Sequence, residues 1–298
     1  MNSTETREYF SPDAKKEGDL HTSGEGILKV LVVDDAEANL ELLRLFLVRE
    51  RAEVILASSG EEALDAYDTR KPDCLFLDLR MPGMDGIEVA MEIRRREARG
   101  RRKAFIAGMS GGDAGTDRMC SEAAGMDCFL QKPVTARQIQ HVLSRCVPGV
   151  STSPISEEIS GLSCGGSTPS LQGVHLGSML DLLRGNWDLL KMAVENRFLP
   201  QIRRDLEELQ GFVQQGDLEK AERIAHKMKG NLGYFGKNSA VLLAEKVRFS
   251  CECGDLREVE QYLQAFGGRC LSLMEIFASP HWEHAFTSQG EYRGGTRA

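Results

Sequence analysis

No run of about 18 apolar residues occurs in the chain, so no segment reads as a membrane-spanning helix. The opening MNSTETREYFSPDAKKEGD has no apolar core of the secretory kind. The eight cysteines (74, 120, 128, 146, 164, 251, 253 and 270) form no C-x-x-C pair and meet no histidine at zinc-ligand spacing. Buried thiols in a reducing compartment are the simple reading, and Cys251 and Cys253, two apart, point to different sides of a helix. Positive charge is short: 37 basic against 45 acidic residues leave a net charge of −8. That argues against a broad nucleic-acid or anionic-membrane footprint. A G-x-x-x-x-G-K-[ST] loop, a glycine-rich ATP lid and a basic helix-turn-helix are also missing. The expectation is a cytoplasmic protein that carries no ATP-binding kinase module and binds neither nucleic acid nor membrane.

What is present divides the chain. At 298 residues, length alone asks for two domains. Residues 1–25 are polar and without apolar period, a flexible lead. Between 147 and 173, 17 of 27 residues are Ser, Thr, Pro or Gly, too little apolar surface to offset backbone ordering. The expected division is a first domain at 26–147, a linker at 148–174, a second domain at 175–279 and a loose tail at 280–298.

Before the linker, KVLVVDD (29–35), EVILAS (53–58), CLFLDL (74–79), KAFIAGMS (103–110) and DCFLQKP (127–133) alternate with helical patterns. Runs apolar on both faces and separated by helices predict a doubly wound, five-stranded parallel sheet, whose sites lie at the strands' carboxyl ends. After the linker, apolar residues recur at spacings of three and four in four stretches, from Leu190 to Val213, Leu218 to Phe235, Leu243 to Cys251 and Leu256 to Phe277. These predict an all-α four-helix bundle, with Gly216, Gly236 and Gly254 separating helices and Pro200 kinking or breaking the first.

Asp34 and Asp35 end the first strand and Asp78 ends the third. Three carboxylates in one pocket repel unless a cation intervenes, and a hard divalent ion held by oxygens, Mg2+, is the natural companion. Two further strand ends supply the Ser110 hydroxyl and the Lys132 ammonium, which together can hold phosphoryl oxygens. Singly, a paired Asp caps helices, a lone Lys is solvated and a Ser starts turns. All of them at carboxyl ends in one half of a sheet make a specific set.

Across residues 27–147 the chain resembles a response-regulator receiver domain, through VLVVDDAEANLELL (30–43), LFLDLRMPGMDGIEV (75–89), IAGMSG (106–111) and AAGMDCFLQKPV (123–134). The resemblance implies a flavodoxin-like fold with Asp78 as phosphoacceptor. It implies that Asp34, Asp35, Asp78 and the Arg80 backbone carbonyl hold Mg2+, that Ser110 and Lys132 contact the phosphoryl group, and that Phe129 repacks on phosphorylation. Gly108 and Gly111 depart from the alanine more usual there.

The stretch DLEKAERIAHKMKGNLGYFG (217–236) sets His226 about 200° from Ile224 and Met228, facing out of the bundle, with Lys229, Gly230 and Gly233 on its side. Two interior glycines beside an exposed imidazole leave room for something bulky. A lone surface histidine is usually only solvated, but AHKMKGNLGYFG (225–236) resembles a histidine-containing phosphotransfer (HPt) domain. That implies a phosphorylated His226, an assisting Lys229 and clearance at Gly230. The run RRREARGRRK (94–103) holds seven basic residues in ten and reads as a solvated helix end.

Together the two resemblances imply a phosphorelay intermediate between a sensor histidine kinase upstream and another receiver or HPt-bearing protein downstream, with no kinase activity of its own. Two other readings remain open: a phosphorylation-gated switch without internal transfer, and a haloacid-dehalogenase-like phosphatase, whose second Asp is Arg80 here. Met1 and the polar lead favour a free-standing chain over the tail of a longer hybrid kinase.

Overall fold

A computed structural model describes residues 27–100, 102–112, 114–146, 170–171, 173–236 and 238–287. The expected lead, most of the linker and the end of the tail lie outside these. The first domain alternates β1 (Lys29–Val33), α1 (Glu37–Arg49), β2 (Glu53–Ala57), α2 (Gly60–Arg70), β3 (Cys74–Asp78), α3 (Gly86–Glu97), β4 (Phe105–Ser110), α4 (Ala114–Ala123), β5 (Cys128–Gln131) and α5 (Ala136–Cys146). The strands make one parallel sheet in the order β2-β1-β3-β4-β5. Strand order reverses beside β1, so the ends of β1 and β3 open onto the crevice where such sheets place their sites.

Side chains alternate across the sheet. Leu31, Val33, Leu75 and Leu77 pack under Val89 and Ile93 of α3. Val30, Val32, Phe76 and Met109 face the other way, and their apolar core continues without a break into the second domain. Helix α3 begins on a reciprocal cap, the Asp85 carboxylate accepting from the Glu88 N–H while Glu88 accepts from the Asp85 N–H.

The second domain opens on two-residue strands β6 (Ser170–Leu171) and β7 (Val174–His175), at the end of the expected linker. It continues with α6 (Gly177–Leu182), α7 (Trp187–Ala193), a π-helical turn (Val194–Phe198), α8 (Leu199–Gln214), α9 (Leu218–Gly233), α10 (Ser239–Cys253), α11 (Leu256–Ile276) and α12 (Trp282–Thr287). The break expected near Pro200 is that π turn, which runs directly into α8 with Pro200 in its first turn, where a missing N–H costs least. Gly216, Gly236 and Gly254 sit at φ of 73°, 93° and 74° between helices. At Gly236 a Cβ would also come within 2.9 Å of the His175 ring. Asp217, Asn238 and Asp255 cap the helices that follow.

One boundary is corrected. The loose tail expected from residue 280 instead begins with α12, whose Trp282 and Phe286 are buried against Phe277. Two aromatics four apart supply an apolar face that the polar residues around them conceal in a composition window. Among the described residues, no helix is long and apolar enough to cross a membrane. The basic run is largely neutralised in place: Arg94 pairs with Glu97 and Asp127, Arg95 with Glu92, Arg96 with Glu92 and Asp68, and Lys103 with Asp127.

Candidate functional site

The pocket is assembled by strand ends. One carboxylate oxygen from each of Asp34, Asp35 and Asp78 lies within 4.8 Å of the others. Asp34 is fully buried and accepts from the Ala36 N–H at 2.9 Å and from Asn39 Nδ2 at 3.0 and 3.1 Å. Lys132, placed by the end of β5, donates from Nζ to Asp34 at 2.6 Å and to Asp78 at 2.7 Å. The Arg80 N–H donates to Asp78 at 3.3 Å.

One ammonium among three acids leaves an excess of negative charge. Burial, with Asp34 and Asp78 beside it, pushes Asp35 up to about 7, against partial relief from Lys227 and Lys132. Burial also raises Asp78 to about 6, with Lys132 pulling it back and Asp34 pushing it up. Burial by itself would lower Lys132, but Asp34 and Asp78 hold it well above the ordinary lysine range. Three convergent oxygen donors with uncompensated charge fit a small divalent cation.

His226 projects out of the bundle, as its spacing predicts, but it does not face solvent. It lines the same cleft as Asp34, Asp35, Asp78 and Lys132, so the first domain half-buries it. Burial pushes its imidazole down to about 3, with Arg80, Lys229 and Lys132 adding to the effect. Its buried Nδ1 has no hydrogen-bond partner. Ile224, expected on the buried stripe, is only half-buried and lines a neighbouring cleft with Arg80.

Other expected residues are engaged differently. The Ser110 hydroxyl donates to Asp117 of α4 and accepts from the Gly112 N–H at 3.0 Å. Asp117, buried, also holds the Arg80 guanidinium at 3.1 Å. Lys229 pairs with Glu245 of α10 at 2.8 Å. Phe129 is half-buried on β5, against the core beneath α2 and α3. Gly230 lines the cleft, yet a Cβ there would meet no atom within 4 Å, so the glycine avoids no clash between domains; it leaves the cleft itself open.

Four residues escape sequence reasoning. Asn39 and Asp117 carry no motif signal, since a helix face becomes polar for many reasons. Lys227 stands 3.1 Å from the buried Asp205 and 4.0 Å from Asp35, and only its place beside His226 marks it. Tyr234, 1% exposed, feels Lys132, Asp34 and Asp78, while its ring packs edge-on against Phe198.

The family model for the response regulator receiver domain matches residues 30–144, and that for the Hpt domain matches residues 196–275. The chain is similar to the virulence sensor protein BvgS of Bordetella pertussis, 28% identical over 252 residues, covering 83% of this chain and 20% of that protein. It is also similar to the signal transduction histidine-protein kinase BarA of Escherichia coli, 28% identical over 239 residues, covering 77% of this chain and 25% of that protein. The chain thus spans about a fifth to a quarter of these relatives' length. Among solved structures, the Vibrio cholerae chemotaxis protein CheY4 is 25% identical with a TM-score of 0.38, over 41% of this chain and 99% of that one. The chain therefore joins a response regulator receiver domain, at residues 30–144, to an Hpt domain, at residues 196–275.

Proposed function

We propose that the chain is a cytoplasmic phosphorelay intermediate, taking a phosphoryl group that originates on a sensor histidine kinase and passing it through Asp78 and His226 to another receiver or HPt-bearing protein. The observation that carries this reading is the single cleft lined by both Asp78 and His226. Asp78 is the nucleophile toward an incoming phosphoryl group and needs no general base once ionised. Lys132 neutralises oxygen charge, and Ser110 orients the group once it leaves Asp117. Asp34, Asp35, Asp78 and the Arg80 carbonyl are the residues that would hold Mg2+. When bound, that ion offsets the negative charge that otherwise repels a phosphoryl group.

In the onward step, the lone pair of an imidazole nitrogen forms a bond to phosphorus while the P–O bond to Asp78 breaks. The electron pair leaves with the carboxylate, and the imidazole proton is released to solvent. Burial keeps the His226 imidazole neutral and therefore nucleophilic. Lys229 offsets charge on the phosphohistidine once it swings from Glu245, Gly230 keeps the cleft open, and Phe129 reports the state of the receiver face. The chain acts as a phosphoryl carrier and not as an ATP-using kinase. Its domains span about 26–147 and 175 to α12.

The test supplies a phosphorylated donor kinase carrying labelled phosphate to the wild type, Asp78→Asn and His226→Gln. Retention is expected on Asp78 in His226→Gln, and on neither residue in Asp78→Asn when the donor is specific for receivers. Label persisting unchanged in both variants refutes the assignment.

A further inference from the structure

Helix α1 buries seven of its 13 residues, between Ala38 and Leu47. At 100° per residue they cover about 200° of its circumference, about twice the stripe of a helix packed on one side. It is covered twice, by the sheet and by α6, α7 and the π turn of the Hpt side. Around this apolar seam, Arg197 and Arg204 reach Glu37 at 2.9 and 3.5 Å, Arg184 pairs with Glu50, and Arg49 donates to the Leu183 carbonyl at 3.2 Å. Over the pocket, a Cβ on Gly111 would lie 3.5 Å from Gly230 Cα, and one on Gly233 would lie 3.8 Å from Pro133 Cδ.

We infer that the receiver's α1 surface is occupied by the second domain of the same chain, and that this closed state shields His226 and the carboxylate pocket from outside partners. Three features support an occupant in cis. The core is continuous across the seam, so either domain alone would expose it to water. Charges pair across the seam, Glu37 with Arg197 and Arg204, and Glu50 with Arg184. Fewer than about 30 residues join the domains, which sets a local concentration in the millimolar range, so the surface needs little intrinsic affinity to stay closed. The consequence for signalling rests on the relay reading: an outside receiver and the chain's own receiver compete for one imidazole. The docking itself does not rest on it.

The full-length, unphosphorylated chain is treated with diethyl pyrocarbonate at pH 8, with modified histidines located by mass spectrometry and mass in solution followed by light scattering. The expected result is a monomer in which His226 reacts about tenfold or more slowly than His281, whose side chain is 73% exposed. Gly233→Trp, a wedge on a helix facing Pro133, should bring His226 to within about threefold of His281. Glu37→Arg should speed His226 about fivefold, and adding Arg197→Glu and Arg204→Glu should restore protection. The inference is overturned if wild-type His226 reacts as fast as His281, if protection grows with protein concentration, or if neither the wedge nor the charge reversal alters it. Failure of His226 to accept phosphate in any variant would instead strike the relay reading and leave the docking standing.

Discussion

Replacing Asp35 by Asn should stabilise the metal-free protein at alkaline pH, although it removes a conspicuous acid. Asp35 lies with Asp34 and Asp78 in a buried cluster that one lysine only partly neutralises, and it rises from 3.8 to about 7. A rise of about three pH units corresponds to about 4 kcal/mol at about 1.4 kcal/mol per unit. Asp78 rises too and shares the same repulsion, so about 2 kcal/mol is attributable to Asp35 alone. At about 2–4 °C per kcal/mol for a chain of this size, Asp35→Asn should melt about 4–8 °C higher than wild type in EDTA at pH 8. The folded state binds the proton more tightly than the unfolded chain, so wild-type stability is lost as pH rises from 3.8 towards 7. The advantage of Asn is therefore full above pH 7 and gone near pH 4. Thermal melts followed by circular dichroism across that range test both points. The added stability that millimolar Mg2+ confers on wild type should shrink in the variant. A melting point at or below wild type in EDTA at pH 8 would refute the reasoning.

Lys132→Met should cost about 3–5 kcal/mol in urea melts with EDTA, because it strips the buried Asp34 and Asp78 of their cation. Asp117→Ala frees the Ser110 hydroxyl and should speed phosphorylation of Asp78 by a small acyl-phosphate donor about threefold to tenfold, read by phosphate-affinity electrophoresis. An unchanged rate would mean that Ser110 is not held back by Asp117. His226, depressed to about 3 in the folded protein, should show no imidazole titration by NMR between pH 8 and 5. Its unfolded counterpart takes up a proton near 6.5, so stability falls as pH drops below that value. Between pH 6.5 and 5 wild type should lose about 1–2 kcal/mol more than His226→Gln.

The five strands were legible because both-face burial leaves uninterrupted apolar runs, and the period of the Hpt helices survives because each packs a stripe on its neighbours. Once the sheet is parallel, the ends of β1 and β3 have to converge, so the proximity of Asp34, Asp35 and Asp78 follows from local pattern and topology. The outward face of His226 follows from helical spacing in the same way. Trp282 and Phe286 were missed because two aromatics among polar neighbours carry too little period over six residues.

What fills the space opposite His226, and what holds Ser110 and Lys229, was decided only by tertiary structure. Spacing states which side of a helix leaves its own bundle, but not which surface arrives to cover it. The partners of Ser110, Lys229 and Lys227, which are Asp117, Glu245 and Asp35, lie between seven and about 190 residues away in sequence. Such pairings depend on how whole elements dock, and docking is set by summed apolar burial across α1 and the Hpt helices, a quantity no single segment contains.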